Sequence, residues 1–477
     1  MMVGFKREVS ERLPLAKAAL EAFEFAFDPK LLTELYERHR GRGYTDVLTF
    51  PHLAGLVRSC LLEHEGSGHR GCTEAQRDGN LGVDESSFYR KLAKMPVAVS
   101  RALLSEGTAR LGELCAGTAA GAASDLLPGC FDDMEAVIVD GKKIKRAARR
   151  LKPTRGYTGA LLGAKSLVAM SLRSGLALAM SDSFDGQTND VPLVPELLPQ
   201  VRAVVAKPIL WMADRQFGGL GIPPQLTARP GDHYVIRVST STPFTPDPAR
   251  PAKPSTDEKG REVIDEFGTF GKNGNRAIQV RRVILRTGKA AHKTGKGSGA
   301  GGDVILITDL TDRKAYPASE LLKLYRRRWG IERMFQEVTE TFSLKHLIGC
   351  SPKAVLFQFA FCLLMYNLTQ VLKRHVADDG QVDVAIVSTR NLFYDLRREL
   401  LTWNYLELDM PGNLPAAAEA MRRRLAALLE GTWDPEVYTK ASDKKPRIKP
   451  KRKSLQGGHT SVQKLLDGRV KVRVAKN

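Results

Sequence analysis

Between Leu13 and about Leu104, apolar residues recur at three- and four-residue steps, in LAKAALEAFEFAF and again in FPHLAGLVRSCLL. That period belongs to helices with one buried face, and no alternating strand pattern interrupts it. Inside this region Thr73 to Met95 predicts a short helix, a Gly-containing turn and a second helix capped by Asp84. This is the outline of a helix-turn-helix, which ordinary helix pairs share. A Gly/Ala-rich connection, Ala116 to Pro128, follows, and the grammar then changes.

Short apolar runs now predict strands at Met134–Val139, which ends on Asp140-Gly141, and at Lys165–Ser171 and Leu176–Ser181 around the turn Arg173-Ser174-Gly175. Asn189-Asp190 with Pro192 marks a helix start, explained by capping, and Val191 to Val205 fits the helix. Further strands are expected at Pro208–Ala213, ending on Asp214, and at His233–Ser239. A Pro-, Gly- and Lys-rich stretch from Thr240 to Asp312 reads as an insertion with β-like runs at Ala277–Arg286 and Asp303–Thr308, separated by a flexible loop. One long helix is expected from Ser319 to Phe342. The stretch Ala354 to Leu372 carries no charge and nearly reaches membrane-span length. Gln358, Asn367, Thr369 and Gln370 would be costly in lipid, so it predicts a buried helix and no membrane contact.

The expected fold class is therefore α/β, a mixed sheet flanked by helices, interrupted by a β-rich insertion and joined to helical N- and C-terminal regions. The expected units are residues 1–130 (helical, DNA-binding), 131–240 and 313–375 (the two parts of the core), 241–312 (insertion), 376–440 (helical) and 441–477, a basic disordered tail. In that tail Lys444 to Lys453 holds seven basic residues in ten.

The chain has 477 residues, 43% hydrophobic and 26% charged, with a net charge of +20. Such a composition folds, and its charge seeks a polyanion, nucleic acid or an anionic surface. Six scattered cysteines without a CxxC, and a charged start lacking an apolar leader, point to a reducing, cytoplasmic setting.

Two acids that close strands, Asp140 and Asp214, suit a hard divalent cation, because ligands of open α/β sheets collect beyond strand ends. On one helix, Tyr325, Arg328, Glu332 and position 339 fall within an arc of about 60°. That face presents a phenol, a guanidinium able to fork onto phosphate, and a third carboxylate. Lys142 to Arg155 puts eight basic residues in fourteen directly after Asp140, among them Lys142, Lys143, Lys145 and Arg146, which with Arg333 are candidates for DNA phosphates.

Three stretches, VIVDGKKI around Asp140, WMADRQFG around Asp214 and YRRRWGIERMFQE around Glu332, resemble the DDE transposases of bacterial insertion sequences, in the IS-four-like branch. The resemblance implies a ribonuclease H-like core and the catalytic acids Asp140, Asp214 and Glu332. These would hold two Mg2+ ions, with Mn2+ able to substitute. It implies Tyr325 and Arg328 positioning the scissile strand, double-stranded DNA (element ends and target) as partner, a homodimer joining two ends, and a nucleoid-associated location. The family signature ends on a lysine where this chain has Thr339, with Lys345 or Arg333 as substitutes. The insertion lacks the tryptophan that some relatives use in hairpin formation, so that route is not expected. The rival expectations are a metal-dependent nuclease of the same core and an inactive, transposase-derived DNA-binding protein.

The chain also carries weaker motifs. Cys60, His64, His69 and Cys72 have zinc-ligand chemistry without a familiar spacing. GKAAHKTGKGSG lacks a phosphate loop's first Gly, at Ala290, and its Ser/Thr, at Gly297. Trp211 and Trp329 are expected to pack in the core.

Overall fold

The computed structural model describes residues 2–42, 47–116, 127–145, 151–157, 159–240, 242–272, 277–287, 302–342, 344–408, 412–440 and 458–470. The helical start expected from the apolar period is present: α1 (Met2–Glu11), α2 (Pro14–Phe27), α3 (Pro29–His39), α4 (Phe50–Leu62), α5 (Gly68–Arg77), α6 (Glu85–Lys94) and α7 (Val97–Glu113). Asp84 caps α6, accepting the Ser87 N–H at 2.7 Å, so α5 and α6 form the expected helix pair.

The sheet carries β1 (Glu135–Lys145), β2 (Ala160–Ser171), β3 (Ala177–Ser183), then α8 (Val194–Val204), β4 (Ile209–Ala213) and β5 (His233–Val238). Its central order is β3-β2-β1-β4-β5, with β1, β4 and β5 parallel and β2 antiparallel to both neighbours. That arrangement is ribonuclease H-like. Side-chain alternation gives the sheet two faces. Val137, Val139 and Trp211 pack with Leu197 and Val201 of α8, while Ala136, Ile138 and Met212 join the large core on the other side.

The insertion strands do not build a sheet of their own. After β6 (Phe244–Pro246), β7 (Lys253–Thr256), β8 (Glu262–Phe270), β9 (Ile278–Leu285) and β10 (Val304–Thr308), the order continues β5-β10-β9-β8-β6, one eleven-stranded sheet. The physical reason is that β5 would otherwise leave an open row of backbone N–H and C=O groups, which β10 satisfies by antiparallel pairing from Val235 to Val238.

Then follow α9 (Ala318–Arg326), α10 (Trp329–Glu340), α11 (Pro352–Asp379), α12 (Thr389–Tyr405), α13 (Ala418–Leu429), β11 (His459–Ser461) and α14 (Val462–Leu466). The expected single helix from Ser319 to Phe342 is broken at Arg327–Arg328. There the N–H groups of Arg327, Arg328 and Gly330 reach back three residues instead of four, a tightened turn. Part of the expected disordered tail is ordered, with β11 pairing parallel to β2 at Ala160–Leu162 and α14 packed beside it. Lys444 to Lys453 lies outside the described residues, as does the insertion's Gly- and Lys-rich loop.

Helix α11 is long and apolar enough to cross a membrane, yet its apolar window is wholly buried in protein. Its polar residues explain the position. Gln358 accepts the Ile348 N–H at 2.8 Å and donates to the His346 carbonyl at 2.9 Å. Asn367 accepts the Ala177 N–H at 2.9 Å and donates to the Thr108 hydroxyl at 2.7 Å and the Ala177 carbonyl at 2.9 Å. A buried polar group with its bonds made costs little.

Candidate active site

Strand register brings the first two acids together. Val139 pairs with Ala213 in the parallel β1–β4 ladder, so Asp140 and Asp214 are the next positions on adjacent strands. Neighbouring strands lie roughly 4.8 Å apart. By alternation both side chains stand on the face covered by α9 and α10. Asp140 does not end its strand as expected. Beta1 runs on to Lys145 against β2, and only the β4 partner stops. The cost of gathering two anions shows on Asp140, whose carboxyl is pushed up to about 6, first by burial and then by Asp214 and Asp190, against the Gly141 N–H and Arg328. Asp214 accepts the Gln216 N–H at 2.8 Å, which fixes its rotamer at the strand end.

Glu332 comes from α10, and the tight turn before that helix decides what surrounds it. Arg328 donates from Nη2 to Glu332 Oε1 at 2.7 Å, and its Nη1 lies 3.7 Å from Asp140 Oδ2. The guanidinium thus stands between the first and third acids. Its Nε and Nη1 are buried and find no acceptor among the described residues. The Tyr325 hydroxyl, buried and pushed up to about 12 by burial first, donates to the Ala213 carbonyl at 3.3 Å. It therefore braces the residue before Asp214.

Among the described residues no three His, Cys, Asp or Glu side chains are gathered to hold one ion. Asp140 and Asp214 nonetheless fit a hard divalent cation by chemistry: two oxygen donors side by side, mutually repelling, with a third carboxylate held nearby by an arginine.

The other candidates divide. Lys142 is tied inward, donating to the Phe335 carbonyl at 3.1 Å, and burial lowers it to about 8. Lys143 and Lys145 are exposed on β1, and Arg146 lies outside the described residues. Arg333 is exposed and lines a separate cavity beside α10. Thr339 donates its hydroxyl to the Phe335 carbonyl at 2.6 Å, so no cation replaces the family lysine at that position. Lys345 is exposed. Trp211 is fully buried as expected, but Trp329 is 66% exposed, because the turn at Arg328 swings it out of the core.

Asp190 does not cap its helix with its side chain. It is buried in an ion pair with Lys165 of β2, directly behind Gly141, where any added Cβ would overlap its carboxylate. The sequence reading missed this pair because the partners are 25 positions apart and share no local pattern. Near α5, Cys60 and Cys72 are buried thiols, with Cys72 pushed up to about 12 by burial. His64 and His69 lie against Glu74 and Glu85, at 3.4 and 2.9 Å, so the four do not gather as zinc ligands.

A mixed sheet with β2 reversed, bearing paired acids at the β1–β4 junction, defines a ribonuclease H-like core. Residues 132–368 match the family model of the transposase DDE domain, which supports a DDE transposase, an enzyme that cuts and transfers DNA. Among solved structures, a cryo-EM structure of a piggyBac transposase synaptic complex with hairpin DNA matches with 12% identity and a TM-score of 0.40. The match covers 87% of this chain and 85% of that one. No curated protein matches the chain.

Proposed function

We propose that this protein binds the ends of its own insertion sequence, hydrolyses the phosphodiester there, and transfers the freed 3′-OH to target DNA, acting as a homodimer in the bacterial nucleoid. The reading is carried by the adjacency of Asp140 and Asp214 beneath Glu332, within a segment that matches a transposase DDE domain. Asp140, Asp214 and Glu332 would hold two Mg2+ ions, for which Mn2+ would substitute. When bound, such ions stabilise the charge that builds on the phosphoryl oxygens.

The chain's own groups do the rest. Tyr325 fixes the end of β4 through the Ala213 carbonyl and so orients Asp214. Arg328 has two buried donors without acceptors, which suit a non-bridging oxygen of the scissile phosphate. In the first step water adds to that phosphorus and the strand's 3′ oxygen leaves with a proton. In the second, the 3′-OH oxygen attacks a target phosphodiester and bonds to its phosphorus, and the target's own 3′ oxygen leaves with a proton as a free 3′-OH. Lys143 and Lys145 lie exposed on the strand that carries Asp140, where a duplex backbone would pass.

Glu332→Gln keeps the shape and the Arg328 contact but removes the charge. In Mg2+ it should cut end-bearing DNA about a hundredfold more slowly or worse, roughly the several kcal/mol a metal site supplies, while retaining duplex binding in gel shifts. Equal cutting by both proteins would sink the site. Cutting without joined products would leave a nuclease of the same core.

A further inference from the structure

A cavity of about 310 Å³ opens beside α10, on a flank that does not carry Glu332, and runs down between the Arg173–Gly175 turn, α11 and the Ala385–Lys440 contact. Seven lysines and arginines line it against one carboxylate, Glu337. Two of the seven are ion-paired elsewhere: Arg173 with Asp132 at 3.5 Å and Arg326 with Asp257 at 3.3 Å. Arg327, Arg333, Lys373, Arg374 and Lys440 have no carboxylate within ion-pair distance among the described residues.

The arrangement has depth. Lys373 and Arg374 form a buried floor, at 6% and 4% exposure, while Arg327 and Arg333 stand exposed at the mouth. Arg374 donates to the Arg173 carbonyl at 2.6 Å, and Lys440 donates to the Ala385 carbonyl, so backbone contacts hold two of the cations in place without neutralising them. Burying like charges together is costly unless something answers them. The cost is visible on Lys373, lowered to about 7 by burial and then by Lys440, with Arg333 and Arg374 adding to it.

We propose that this cavity binds a phosphate group. Its volume of about 310 Å³ leaves room for a phosphate group. Arginines at the mouth offer forked donors and lysine at the floor a point charge, the combination that phosphate takes, and one carboxylate ligand would leave most of the charge unanswered. The site does not depend on the proposed chemistry at Asp140. The same phosphate chemistry can come from a DNA backbone or from a free condensed phosphate.

The test titrates the full chain with inorganic pyrophosphate by calorimetry, and with a 20-base-pair duplex at several salt concentrations. Lys440→Gln at the rim and Lys373→Met at the floor are compared with the wild type, circular dichroism confirming the fold. A tenfold or greater loss of pyrophosphate affinity in both variants with duplex affinity unchanged assigns a free phosphate ligand. Weaker duplex binding with a salt slope shallower by about one assigns a DNA phosphate. If Lys440→Gln folds and binds both pyrophosphate and duplex as the wild type does, the proposal is overturned. Should Lys373→Met fail to fold, Lys440→Gln alone decides.

Discussion

Around Asp140 the behaviour of single residues is set by charges that the chain brings from far apart. Lys165 and Asp190 are both nearly inaccessible, at 4% and 2%, and each answers the other's charge. Replacing Lys165 by Met leaves a buried carboxylate alone beside Asp140, which should cost about 3–5 kcal/mol in urea unfolding. Adding Asp190→Leu should recover most of that loss. An unchanged unfolding midpoint for Lys165→Met would show that the pair holds nothing. The two strand acids were legible in the sequence because each closes a hydrophobic run. Arg328 was legible as a charge but not in its direction, since its turn toward Asp140 and Glu332 follows from a backbone break that no side-chain period reports.

Elements show the same division. Long apolar segments specified α11 and the β-runs well, because burial against any neighbour satisfies them. Their ends depended on partners: β1 outlasts Asp140 because β2 continues beside it, and α9 stops because the chain tightens at Arg327. The depth of α11 in the core rests on Asn367, which joins three elements by holding Thr108 of α7 and both backbone groups of Ala177. Asn367→Ala takes the acceptor from the Ala177 N–H and leaves the Ala177 carbonyl only the Thr108 hydroxyl at 3.0 Å, and each unmade buried bond costs about 1–3 kcal/mol. The expected loss in thermal or urea unfolding exceeds that of Thr108→Val, which removes the hydroxyl between Asn367 and the Ala177 carbonyl but leaves both Ala177 groups bonded to Asn367. A smaller loss for Asn367→Ala than for Thr108→Val would contradict this account.

At the scale of the molecule, the two helical ends of the chain meet. Glu399 of α12 accepts the Ala16 N–H at 2.9 Å, the open N-terminus of α2. Burial pushes its carboxyl up to about 7, with Asp395 adding to the rise and the Ala16 and Leu15 N–H groups opposing it. The folded state therefore keeps a proton up to about pH 7 that the unfolded chain gives up near its ordinary value of 4.5. More protons are bound in the folded state between those values, so this contribution is full below pH 4.5 and declines as pH rises to about 7. Glu399→Gln should flatten the decline, by on the order of 1 kcal/mol, in unfolding midpoints measured from pH 5 to 7.5. Parallel pH profiles for the two proteins would assign the dependence to other groups.

The alternation of apolar and polar positions was enough to determine that helices come first, that a mixed sheet follows, and that Asp140 and Asp214 each follow an apolar strand run. Those outcomes depend on local period and burial, which a chain carries in its own order. Only the tertiary structure decided that the inserted strands extend the core sheet, that Asp190 answers Lys165, and that unpaired cations surround one cavity. Each of these rests on hydrogen-bond or charge satisfaction between distant segments, and such partners become neighbours only when the chain has folded.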